Sequence, residues 1–125
     1  MFLDFTGVYE PETVAAGEAQ LRVLECKIGH SEKTGGDYLQ VRFDIPANSK
    51  AKDISHVMML PTQQDDSKKK NSRLAAIQNF FRACGVENVN NVDELIGATP
   101  WAILAEEDSV EFGKQNRVKK FVVAK

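Results

Sequence analysis

Only two cysteines occur in the 125 residues, too few for a disulfide framework. Cys26 and Cys84 each stand in an apolar pattern, in no Cys-x-x-Cys pair and beside no histidine at ligand spacing. Both are expected to be small core residues, and no disulfide is expected. Long apolar runs are missing as well: none approaches the roughly 20 residues that cross a bilayer. Met1-Phe2-Leu3-Asp4-Phe5 lacks the basic stretch that opens a signal peptide, so no membrane partner and a cytoplasmic address are expected. The groups an enzyme needs are also scarce. His30 and His56, the only histidines, are separated by a whole predicted hairpin, with no Cys or acidic partner at metal-like spacing. Gly29–Gly36 contains glycines but lacks the Gly-Lys-Ser/Thr ending of a phosphate loop. Glu106-Glu107-Asp108 alternates across a strand, which suits a solvated strand end better than an ion site. No enzymatic activity, catalytic residue, metal or cofactor is expected.

What is present is an ordinary globular composition, 42% hydrophobic and 27% charged, in a length that one core can stabilise. A single domain over 1–125 is expected, with 1–16 as an N-terminal extension. Residues 17–28 begin with Ala19, Leu21 and Val23 alternating with polar residues, then change phase to Leu24, Cys26 and Ile28. A change of phase inside a strand predicts a bulge, and a long bulged first strand can pair on two sides of a small barrel. Residues 29–36 form a polar, glycine-rich hairpin loop. In the second strand, 37–45, Leu39, Val41, Phe43 and Ile45 alternate with Tyr38, Gln40, Arg42 and Asp44 until Pro46 ends the run. A third strand over 53–60 carries apolar residues on both faces and leaves its inward side open. Asn71 or Ser72 predicts the cap of a helix over 72–84 with Leu74, Ile77, Phe80, Phe81 and Cys84 at helical spacing, closed by Gly85. A short helical turn near 92–96, a fourth strand over 101–107, a polar loop over 108–116 and a fifth strand over 117–124 complete the chain. Phe80, Phe81 and Trp101 are assigned to the core or to the contact between helix and barrel. Strand, strand, strand, helix, strand, strand is the order of a five-stranded OB-fold barrel over 17–124, mainly β.

Net charge is −2, but the charges are unevenly placed. Residues 1–20 and 85–111 carry acids and no base, whereas 112–125 carries Lys114, Arg117, Lys119, Lys120 and Lys125 and no acid. A second basic run, Lys68, Lys69, Lys70 and Arg73, stands against Asp66 alone. Holding a single nucleic-acid strand takes a basic groove and exposed rings on which bases stack. Tyr38, Gln40 and Arg42 share the second-strand face opposite the core set, and Phe112 sits in a glycine loop beside Lys114 and leads into Arg117 and Lys119. With Lys33 in the first loop, these eight residues form the candidate site, and the acidic segment 85–111 is expected to lie outside it.

The order and spacing of several short motifs also carry a resemblance. They are Ala16-Gly17 before the first strand, Lys33-x-Gly35-Gly36-Asp37-Tyr38-Leu39-x-Val41-x-Phe43, Phe80-Phe81-Arg82-Ala83-Cys84-Gly85, Leu95-Ile96-Gly97, and Asn116-x-Val118. Together they resemble a family of small phage proteins, first known as domains of unknown function, that is grouped with phage single-stranded DNA-binding proteins of OB fold. The resemblance implies a protein of the host cytoplasm that coats single-stranded DNA without sequence preference during phage replication or recombination. A homo-oligomer, or contact with other replication or recombination proteins, fits the same role. The chain ends in Lys125 without the acidic tail of bacterial single-strand binders, so recruitment through such a tail is not expected. Two other readings stand beside this one: a structural or adaptor β-barrel of a virion or assembly apparatus, and an RNA-binding OB domain.

Overall fold

A computed structural model of the chain describes residues 3–4, 6–8, 10–111 and 113–123. Phe112 and Lys125 lie outside the described residues. Among the described residues the chain is mainly β, with six strands: β1 (Gly17–Gln20), β2 (Arg22–His30), β3 (Asp37–Asp44), β4 (Ile54–Met59), β5 (Trp101–Ser109) and β6 (Gly113–Val122). One helix, α1 (Ser67–Ala83), lies between β4 and β5 and is followed by a 3-10 turn at Val92–Leu95. The strands form two three-stranded antiparallel sheets, ordered β1-β5-β6 and β2-β3-β4.

The phase change in the first strand has a direct structural counterpart. β1 pairs with β5, the chain bends at the buried Leu21, and β2 continues against β3. The β2–β3 register slips between Val23 and Glu25, so Leu24 is the bulged residue and both Val23 and Cys26 face the core. The predicted first strand is thus two strands divided between two sheets.

Leu39, Val41, Phe43 and Ile45 are buried as their alternation requires, and Ile54 and Met58 settle the inward face of β4. These side chains, with Leu21, Val23, Ala102, Leu104 and Val118, fill the space between the sheets. The helix covers one end of this core through Phe80, whose ring centroid lies 6.0 Å from that of Phe43 and 5.1 Å from that of Phe121. The three rings therefore tie β3, α1 and β6 together.

Three boundaries differ from expectation. The helix begins at Ser67 rather than 72, because the Asp66 side chain accepts from the Lys69 backbone N–H at 2.8 Å and caps the first turn. Periodicity could not show this start, since the first turn is polar all round. At the other end Gly85, with φ +82°, donates to the Arg82 carbonyl, and Val86 donates to that of Phe81, so the glycine closes the helix as expected. The loop over 108–116 is much shorter than expected, because β5 runs to Ser109 and β6 starts at Gly113. Polar residues there pair across the hairpin (Glu106 with Asn116, Glu107 with Gln115, Asp108 with Lys114), and a run that is polar on both faces gives no alternation to read. Trp101 is 46% exposed and not in the core: Ala102 and Leu104 point inward, which leaves Trp101 on the outer face of β5. The run Trp-Ala-Ile-Leu-Ala is apolar on both faces and conceals that phase.

The N-terminal extension is tied down on the way to β1. Asn116 accepts from the Val14 N–H and donates to the Val14 carbonyl, both at 2.9 Å, and Glu12 bridges to Ala51. No helix among the described residues is long and apolar enough to cross a membrane.

Candidate nucleic-acid interface

β2, β3 and β4 display their outward residues in rows set by register. Glu25, Arg42 and Ser55 form one row, Lys27, Gln40 and Val57 the next, and Gly29, Tyr38 and Met59 the third. Gly29 explains how Tyr38 sits. A Cβ at Gly29 would lie 2.5 Å from the phenol end of the Tyr38 ring, so the ring covers the glycine backbone and is held along the sheet. Met59 is its other neighbour, and Val57 beside Gln40 is 49% exposed. Gln40 donates to the Ser55 hydroxyl at 3.2 Å. The result is a shallow surface with an aromatic ring at one end and an amide at its middle.

The cations divide into two groups. Arg42 is held by Asp53 at 3.0 Å and by Glu25 at 3.5 Å, and Arg117 by Glu107 at 3.6 Å. Their charge is already met within the fold. Lys33, Lys114, Lys119 and Lys120 take part in no ion pair among the described residues. Arg42 and Arg117 are the residues that sequence reasoning favoured for charge, but which acids meet them across the strands is set by register and cannot be read from a linear pattern. The same pairing brings the acidic end of β5 against β6, so Glu106–Asp108 lie beside the basic strand rather than remote from it.

Placement of the eight predicted residues follows from topology. Tyr38, Gln40 and Arg42 stand on one face of β3, which spans roughly 25 Å over its eight residues. Lys33 lies in the loop before β3. Lys114 lies toward the opposite end, where its carbonyl accepts from the Lys52 ammonium at 2.7 Å. Arg117 and Lys119 belong to β6, on the far side of β4 from β3, and Phe112 lies outside the described residues. β3 therefore has toward each end a lysine with no ion pair among the described residues, and β6 adds a second basic line beside β4.

Two residues near this surface were not assigned to it from the sequence. His56, on β4, stands edge to face with Phe121 at 5.5 Å between ring centroids, and burial first and the nearby Arg117 second hold its pKa below the ordinary histidine value. Lys120 is the other. The β5–β6 register slips between Ile103 and Leu104, which leaves Lys119 as the bulged residue and puts Val118 and Phe121 on the same inward side. Simple alternation places those two on opposite faces.

The cysteine thiols contribute no reactive group. Burial pushes Cys26 up to about 11 and Cys84 up to about 12, so both stay protonated near neutral pH. Among the described residues no group of three His, Cys, Asp or Glu side chains is placed to hold a metal ion. Compared with protein-family models and with curated proteins, the chain matches none, and the reading of this surface rests on its own geometry and chemistry.

Proposed function

We propose that this protein binds single-stranded DNA without sequence preference, as a coating protein of phage replication or recombination. The observation that carries the reading is the outer face of β3: a tyrosine ring held along the sheet over Gly29, an amide beside it, and toward both ends of the strand lysines with no ion pair among the described residues. Stacking on a fixed ring and phosphate contact by lysines are what a sequence-tolerant single-strand site requires, at about 4–16 nucleotides per OB fold. The motif resemblance to phage single-stranded DNA-binding proteins supports the same reading. So does the architecture, taken as a five-stranded OB barrel in which β1 and β2 are one bent strand. Four of the pairings such a barrel uses are present: β1–β5, β2–β3, β3–β4 and β5–β6. β4 and β6 lie side by side where the fifth would close it.

The test is a polarisation titration of a labelled oligo-dT at two salt concentrations, repeated with Tyr38→Ala and with Trp101→Ala. Binding that weakens with salt, falls by about 1–3 kcal/mol in Tyr38→Ala and is unchanged in Trp101→Ala is the expected outcome. Absence of binding at low salt overturns the reading in favour of an adaptor role, and stronger binding to oligo-rU than to oligo-dT moves it to RNA.

A further inference from the structure

The edges of β4 and β6 face each other without a ladder among the described residues. Between them and α1 opens a cleft of about 310 Å³, lined in part by His56, Ala76, Asn79, Lys119, Lys120 and Phe121. Its chemistry is specific. Phe121 is half-buried and fixed from behind by Phe43 and Phe80, at 5.9 and 5.1 Å between centroids. His56 forms a wall perpendicular to it. Burial favours the uncharged imidazole, which offers one donor and one acceptor, and the Asn79 amide offers both as well. At the rim are Lys119 and Lys120, and among the described residues these have no ion-pair partner and no carboxylate lines the cleft. Lys119 is the bulged residue of β6, and bulges re-aim side chains beside functional sites. A flat apolar floor, a neutral edge that can both give and accept hydrogen bonds, and a cationic rim match a nucleotide.

We propose that this cleft takes one nucleotide of the bound strand, its base against Phe121 beside His56 and Asn79 and its phosphate at Lys119 and Lys120. The proposal rests on the single-strand reading above and extends it from the face of β3 to the seam between the two sheets.

The experiment compares binding of a dT dodecamer and of an abasic dodecamer with the same phosphates, using wild type, Tyr38→Ala, Ala76→Trp and the double variant Lys119→Gln/Lys120→Gln. Ala76 is an exposed helix position, so Ala76→Trp fills the cleft from its outer wall. Ala76→Trp is expected to weaken dT binding about ten-fold and abasic binding hardly at all, since only a base is displaced. The lysine variant is expected to weaken both ligands. In parallel, the His56 ring proton resonances, assigned by loss in His56→Asn, are expected to shift with the dT strand and not with the abasic one. Wild type that binds neither strand defeats the underlying reading. Wild type that binds and is weakened by Tyr38→Ala, while Ala76→Trp and the lysine variant bind normally, overturns the cleft alone. Should Ala76→Trp not fold, unshifted His56 resonances in wild type overturn it equally.

Discussion

Gly29 and Tyr38 face each other across β2 and β3, and the pair gives the sharpest residue-level test of the surface. Gly29→Ala puts a methyl group where the Tyr38 ring lies, 2.5 Å from its end, at a backbone position with no positive φ to strain. The ring must swing away, which costs the fold little because a side-chain tip is what moves. Affinity for oligo-dT is then expected to fall nearly as far as in Tyr38→Ala, about 1–3 kcal/mol, with stability within about 0.5 kcal/mol of wild type. Unchanged affinity in a titration, with normal urea unfolding, would show that the ring is not a stacking platform. The cations make a second contrast. Arg42 is already neutralised by Glu25 and Asp53, whereas Lys33 has no ion-pair partner among the described residues. Lys33→Ala is expected to flatten the slope of log affinity against log salt by about 0.7, and Arg42→Ala to flatten it less. Equal slopes for the two variants would show that the ion pairs open on binding. His56 supplies the pH dependence. Its folded pKa lies below the 6.5 of the free side chain, so between those two values the unfolded chain binds a proton that the folded one does not. Stability should therefore fall as pH drops through that window and level off below the folded pKa. Urea midpoints measured from about pH 7.5 to about pH 5 should decline less in His56→Gln than in wild type.

At the scale of elements, α1 is built against its own dipole. No acid occupies its first turn, and Lys68, Lys69 and Lys70 follow the Asp66 cap directly. Cations at a helix N-terminus are unfavourable by roughly 0.3–1 kcal/mol each. Lys69 is compensated by Asp65, as is Arg73 at 2.7 Å, and Asp65 is held ionised by the Thr62 backbone N–H and then by these cations. No such pair serves Lys68 among the described residues. Lys68→Glu should consequently stabilise the protein by up to roughly 1 kcal/mol, while Asp66→Ala should destabilise it by about 0.5–2 kcal/mol through the lost cap. Urea denaturation reads both, and a Lys68→Glu variant no more stable than wild type would show the dipole to be screened at that end. The cap was within reach of the sequence, since Asp-Ser-Lys-Lys-Lys has an N-cap residue. The apolar periodicity starts only at Leu74, eight positions after Asp66, and that later start governed the expected boundary.

For the whole molecule, Phe80 joins the two sheets: its ring meets Phe43 on β3 and Phe121 on β6 and leaves no exposed surface. With no ladder between β4 and β6 among the described residues, these contacts replace hydrogen bonds in holding the open side of the architecture. Phe80→Ala should cost about 3–5 kcal/mol, a large part of the 5–15 kcal/mol that keeps a domain of this size folded. Calorimetry should show one cooperative transition at a lower temperature. Two separate transitions would mean that the sheets are independent units.

The order of the elements, the strand phase of Leu39 to Ile45, the bulge after Val23 and the closing role of Gly85 were all determined by the sequence itself, because each rests on neighbours a few residues apart: pleat alternation, helical spacing, a left-handed turn. The partners of Arg42 and Arg117, the outward turn of Trp101, the Lys119 bulge and the approach of His56 to Phe121 were decided only in the tertiary structure. Each depends on how strands are set against one another, and register fixes which side chains meet across a sheet without leaving a mark in either strand alone.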